Sequence, residues 1–135
     1  EVNIFGTPAR PASLPEWYHY YQSPSKEEHL RINNESAIYI AASVDEGWGL
    51  TIGEDMLCGQ AVACTDNRGF REMAQDGITA LLSPVNDAEA LANNIISLIE
   101  DDEKRYEIAN NGMEFIKTLS IDNSYRLFKT ALGLV

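Results

Sequence analysis

Glu46 and Glu54 stand eight positions apart, with Gly47-Trp48-Gly49-Leu50-Thr51-Ile52-Gly53 between them. Two carboxylates at this spacing can accept hydrogen bonds from sugar and ribose hydroxyls. The glycines let backbone approach a ligand closely or adopt positive φ. From Thr51 to Cys58 the residues read as a short apolar helix. The N–H groups and positive end of that helix suit a phosphate. Each part also has a plainer reading. Two glycines make an ordinary tight turn. A glutamate early in a helix is favoured by the helix dipole. The Thr51 hydroxyl can cap the helix as readily as touch a phosphate. A third chemistry, acid–base hydrolysis by the glutamate pair, would need the two carboxyls facing across one bond.

The surrounding elements give these residues a frame. Residues 37–42 with Ser43 read as a buried strand running into the glycine loop, so the order is strand, loop, helix. Further strands are predicted at 2–6, 17–21, 61–65 and 79–82. Helices are predicted at 25–36, 51–58, 69–75, from Asp87, at 103–118 and at 122–132. Ser25 with Glu28 forms a capping box. Leu91, Ala92, Ile95, Leu98 and Ile99 recur at helical spacing as one inward face, and Ile108, Met113 and Ile116 as another. Short apolar strands alternating with helices indicate an α/β fold, a Rossmann-like parallel sheet flanked by helices. Ligands bind such sheets at the carboxyl ends of the strands, where the 43–50 and 65–71 loops lie.

Composition narrows the function. With 135 residues the chain is read as one domain, residues 1–135. A formal charge of −11 and a pI near 4.4 argue against nucleic acid and anionic lipid as broad partners. No apolar run is long enough for a transmembrane segment. Cys58 and Cys64 lack metal-type spacing and read as small core residues of a reducing compartment. His19 and His29 have no acidic or cysteine partners at suggestive spacing. No nucleophile elbow or phosphate-binding Gly-Lys-Ser/Thr loop is present. Trp48 reads as packing under its loop rather than lining a pocket. Arg68 and Arg71 read as surface charge, and Asp55 as solvated or locally paired. A strand at Val2–Gly6, preceded only by Glu1, is read as the start of a piece cut from a longer protein.

The run from Ser43 to Val62, with Glu46-Gly47-Trp48-Gly49-Leu50, Glu54, Met56 and Cys58-Gly59, resembles the donor-site signature of glycosyltransferase family 4. The similarity continues through Asp66–Glu72, Asp76-Gly77 and Ala80–Pro84. It covers roughly residues 36–119. The resemblance implies the C-terminal half of a GT-B enzyme, a nucleotide-sugar-binding domain of a retaining, two-domain glycosyltransferase of polysaccharide or glycoconjugate biosynthesis. It implies donor contacts from Ser43, Glu46, Gly47, Trp48, Gly49, Leu50, Thr51 and Glu54. Glu46, the candidate catalytic residue, would face the donor sugar, and Glu54 the ribose. Glu72 would have a structural role. The family's basic pair for the donor pyrophosphate has no match here, and the acceptor, whether sugar, lipid or protein, would be met by an N-terminal domain. The 135 residues alone are therefore expected to be inactive. No metal and no cofactor are expected, and the expected setting is cytoplasmic or peripheral to the inner membrane. The other classes kept open are a non-catalytic Rossmann-like binding module and a carboxylate-pair glycoside hydrolase.

Overall fold

A computed structural model describes residues 1–134 and divides the chain into two compact units, Glu1–Ser36 and the residues from Ala37 onward. In the first unit, β1 (Val2–Gly6) and β2 (Tyr18–Gln22) pair in parallel, with Val2 opposite Tyr18 and Gly6 opposite Gln22. Aromatic and β-branched residues favour this pleated pair. The proline-rich segment between the strands is held by the Tyr20 hydroxyl, which donates to the Pro8 carbonyl at 2.8 Å. Helix α1 (Lys26–Glu35) begins at Ser25, whose hydroxyl accepts from the Glu28 N–H at 3.1 Å.

The second unit holds the glycine loop. Its sheet has the order β3-β4-β5, all parallel, from β3 (Ile38–Ala41), β4 (Ala61–Thr65) and β5 (Ala80–Ser83). Four helices follow or interrupt the strands: α2 (Leu50–Leu57), α3 (Ala88–Glu100), α4 (Asp102–Lys117) and α5 (Ile121–Ala131). Among the described residues, the first unit thus holds a two-stranded parallel ladder and the second a three-stranded one.

Strand β4 is buried along its whole length, and its period-2 alternation builds two cores. Val62 and Cys64 join Ile52 and Met56 of α2, Phe70 and Met73, with Phe115 and Ile116 of α4 against them. Ala61 and Ala63 join Leu98 of α3 and Ile108 and Ala109 of α4, backed by Leu91 and Ile95. A parallel sheet covered on both faces favours a near-continuous apolar run along its central strand, here residues 61–64 before the buried Thr65. Small residues at 61, 63 and 64 let the helices approach closely. Burial also pushes the Cys64 thiol up to about 12, which keeps it protonated and inert. Cys64 is thus the small core residue expected, whereas Cys58 is only half-buried.

Several expectations need correction. Residues 69–75 form no helix. Phe70 N–H bonds to the Asn67 carbonyl and Met73 N–H to the Phe70 carbonyl, turns of three residues, and only Ala74 reaches back four. The Gln75 carbonyl is then taken by the N–H groups of Ile78, Thr79 and Ala80, which bends the chain away from helix into β5. Ala92 and Ile99 are exposed, because α3 turns only the Leu91–Ile95–Leu98 stripe inward. Helix α5 buries none of its residues, and Ile121, Tyr125, Phe128 and Leu132 stand exposed along it.

Candidate functional site

The loop from Ser43 to Gly49 leaves the carboxyl end of β3 and enters α2, as the strand–loop–helix reading requires. Gly49 is the N-cap of α2, with φ of 75° in the left-handed region. A Cβ there would come within 2.3 Å of the buried Phe70 ring, so both conformation and space demand glycine. Gly47 differs: its φ is not positive, and a Cβ would meet nothing within 4 Å. The two glycines expected to act alike therefore have separate reasons. Gly49 shapes the turn; Gly47 leaves open space beside it.

No side chain caps α2, and no acidic residue lies in its first turn. Thr51, a candidate cap, is instead exposed in the helix's first turn. Burial raises the Tyr39 phenol above its ordinary value, and Thr51 opposes that rise. Glu54 is exposed in the second turn. It lines a groove of about 430 Å³ with Trp48, Leu50, Leu57, Met73 and Ile116, among others. Trp48 is 46% exposed and Leu50 64%. Trp48 thus does not pack under its loop, because the space there is filled by Phe70 beneath Gly49.

Glu46 is exposed too, and its carboxylate is held from within the loop: the Ser43 hydroxyl donates to Oε1 at 2.7 Å. The Ser43 carbonyl in turn accepts from the Thr65 hydroxyl and from Asn67 Nδ2, the latter at 3.1 Å. Asn67 Oδ1 accepts from the Phe70 N–H at 3.1 Å. Gly69 lies against the Glu46 backbone, where a Cβ would stand 2.3 Å from the Glu46 carbonyl oxygen. The β4-end loop and the glycine loop are therefore one hydrogen-bonded unit. A second groove, about 520 Å³, is lined by Val44, Asp45, Asp66, Asn67, Arg68, Arg71 and Val85. Neither groove includes both Glu46 and Glu54.

Other candidates fall into place. Arg71 is an exposed surface charge, as expected, gripping Asp66 with two bonds of 2.8 and 3.0 Å that hold the Asp66 carboxyl below its ordinary value. Glu72 is exposed and has no hydrogen bond or ion pair among the described residues that would give it a structural role. Asp55 is buried rather than solvated, 3% exposed, and pairs locally through Gln60 Nε2 at 2.8 Å. Burial, reinforced by the charge of Glu54 and opposed by Gln60, pushes its carboxyl up to about 7. No cluster of three or more histidine, cysteine or acidic residues among the described residues could hold a metal. Sequence reasoning missed Thr65 and Asn67. Their signal, polar side chains just past a buried strand, has meaning only once the facing loop is known.

Comparison with known proteins places this geometry. The model of the family described as glycosyl transferases group 1 matches residues 13–115, well over half of the chain. An uncharacterized glycosyltransferase of Methanocaldococcus jannaschii is 31% identical over 96 residues, which cover 71% of this chain and 27% of that protein. A phosphatidyl-myo-inositol mannosyltransferase of Mycolicibacterium smegmatis is 38% identical over 60 residues, 44% of this chain and 16% of its own. The chain thus spans about a quarter or less of these relatives' length. Among solved structures, the C-terminal domain of a group 1 glycosyl transferase, LpcC of Francisella tularensis, superimposes with a TM-score of 0.69 at 26% identity, covering 75% of this chain and 52% of that one. HepE of Anabaena, crystallised with UDP-glucose, superimposes with a TM-score of 0.74 at 22% identity over 89% of this chain and 33% of its own, a likeness of fold. A parallel α/β unit with its glycine loop at a strand's carboxyl end, matched over most of its length by the family model, is therefore a C-terminal domain of GT-B fold, and the chain belongs to the group 1 glycosyl transferases.

Proposed function

We propose that this chain binds a nucleotide-diphosphate sugar for retaining glycosyl transfer in polysaccharide or glycoconjugate biosynthesis. The observation that carries the reading is the bare start of α2 beside Glu46. Its N-terminal N–H groups have no side-chain cap, and a hydrogen-bonded carboxylate stands a few residues upstream. A diphosphate would take the N–H groups and the positive end of the helix. Gly47 leaves room for it. Glu54 would hold the ribose hydroxyls, and Glu46 the donor sugar near its anomeric carbon. Ser43, Trp48, Leu50 and Thr51 would complete the wall. HepE was crystallised with UDP and with UDP-glucose, and the mycobacterial relative is a mannosyltransferase, which supports a nucleotide sugar here.

These residues contribute binding and orientation, with stabilisation of the departing diphosphate by the helix end. The groove beside Glu54 is open and largely apolar, the character of a half-site that a further domain would complete. The acceptor would be met there, and the setting would be cytoplasmic or peripheral to the inner membrane. No described helix is long and apolar enough to cross a membrane.

The test is an NMR titration of the chain with UDP and GDP. Amides of residues 43–54 and 65–71 should shift with one of the two; shifts elsewhere only would sink the reading. Glu54→Gln should weaken the nucleotide about tenfold or more, the usual loss for a charged hydrogen bond. Equal affinity would remove Glu54 from the ribose.

A further inference from the structure

Three polar side chains converge behind Glu46 without being part of the groove that Glu54 lines. Thr65 and Asn67 are 4% exposed each. Both donate to a single acceptor, the Ser43 carbonyl, from the end of the buried strand β4. Asn67 Nδ2 also lies 3.4 Å from the Thr65 hydroxyl, and its Oδ1 is taken by the Phe70 N–H. Every polar atom of this cluster is thus committed. Its output is the Ser43 hydroxyl, whose residue is immobilised through its carbonyl and which donates to Glu46 Oε1. Gly69 closes the same unit from the other side, because only a residue without Cβ fits against the Glu46 carbonyl.

We propose that Thr65 and Asn67 are positioning residues for Glu46, acting through Ser43. An exposed glutamate on a glycine loop would otherwise sample several rotamers and lose entropy on meeting a ligand. The Ser43 hydroxyl selects one rotamer and leaves the second carboxylate oxygen for a ligand hydroxyl. Thr65 and Asn67 hold Ser43 against the rigid central strand, so the carboxylate's place is set by the core and not by the loop. The inference rests on the reading that Glu46 faces the donor sugar. It predicts a division of labour: this chain of contacts governs the part of donor affinity that comes from the sugar, and leaves the nucleotide part alone.

The experiment uses the 135-residue chain and four variants: Thr65→Val, Thr65→Ser, Asn67→Ala and Ser43→Ala. Ser43→Ala keeps the backbone carbonyl that Thr65 and Asn67 grip, so it severs the final link without disturbing the fold. The first readout needs no ligand: the Glu46 side-chain carboxyl carbon resonance and the order parameters of amides 44–48. Thr65→Val, Asn67→Ala and Ser43→Ala should each move the Glu46 resonance, the first two should also loosen 44–48, and Thr65→Ser should restore the wild-type values. The second readout compares UDP with UDP-glucose. In Thr65→Val and Asn67→Ala the sugar-dependent gain in affinity should shrink about tenfold while UDP binds within twofold of wild type. A Glu46 resonance unchanged in Ser43→Ala and Thr65→Val would overturn the proposal, as would equal losses for UDP and UDP-glucose. Failure of wild type to bind either nucleotide with shifts at 43–54 would instead count against the donor-binding reading, leaving the ligand-free readout to decide the positioning role.

Discussion

Helices α3 and α4 begin the same way, and α2 does not. Asp87 and Asp101 accept from the backbone N–H three residues on, both at 2.9 Å, and acidic residues follow in each first turn. Ser25 and Ser120 do the same for α1 and α5. Each of these starts has one orphan N–H group taken by a cap side chain and an acidic residue in its first turn to answer the dipole. At α2 the cap is a left-handed glycine with no side chain, and the first acidic residue, Glu54, waits until the second turn. The protein knows how to finish a helix start and leaves this one unfinished. On the proposed reading, the difference separates helices that serve the fold alone from one whose N–H groups are kept for a ligand.

The comparison breaks most severely at Gly49. Gly49→Ala forces a Cβ into the Phe70 ring at a positive φ and should cost about 3 kcal/mol in urea unfolding. A cost near zero would mean that the turn is not as described.

The next largest effect is at Asp55, an acidic residue that α2 buries instead of placing at its start. Its folded pKa, near 7, lies above its unfolded value, so the folded state binds the extra proton between about pH 4 and 7. Stability from this group is therefore full below pH 4 and falls as pH rises toward 7. Asp55→Asn, which keeps an oxygen for Gln60, should exceed wild type by on the order of 2 kcal/mol at pH 8. The two should converge near pH 4. Parallel curves of stability against pH would refute the raised carboxyl.

Smaller still is the loss of an ordinary cap. Asp101→Ala should cost about 1 kcal/mol, without effect on nucleotide titration. Gly47→Ala sharpens the contrast from the other side. Its Cβ meets nothing, so thermal stability should change by less than about 0.5 kcal/mol, while UDP affinity should drop. Unchanged affinity would show that no ligand passes over Gly47.

Much of the second unit was legible because its signals are local. The run 61–65 is an apolar stretch too short for a helix, and it forms β4; the helix expected from Asp87 forms as α3 at Ala88–Glu100, and in the first unit the cap at Ser25 is read from Glu28 three residues on. Helix bounds shifted by a residue, as at 50–57 against an expected 51–58. The failures are non-local. Residues 69–75 carry helix-compatible residues, but competition for the Gln75 carbonyl and the contact of Gly69 with Glu46 pull them into turns. Trp48 is apolar and was expected inside, yet Phe70, more than twenty positions away, already fills that place.

By itself the sequence determined the alternation of strand and helix, the strand–loop–helix order around Glu46 and Glu54, and the family these residues resemble. All of these depend on periodicity, propensity and spacing along the chain. Tertiary structure alone decided which glycine is obligatory, that Asp55 is buried and titrates near neutrality, and that Thr65 and Asn67 stand behind Glu46. The glycine and the Glu46 support are set by what lies across a gap in space, twenty or more residues away, and the Asp55 carboxyl by its burial in the packed core. Burial and close contact are properties of the packed chain, to which no local pattern is bound.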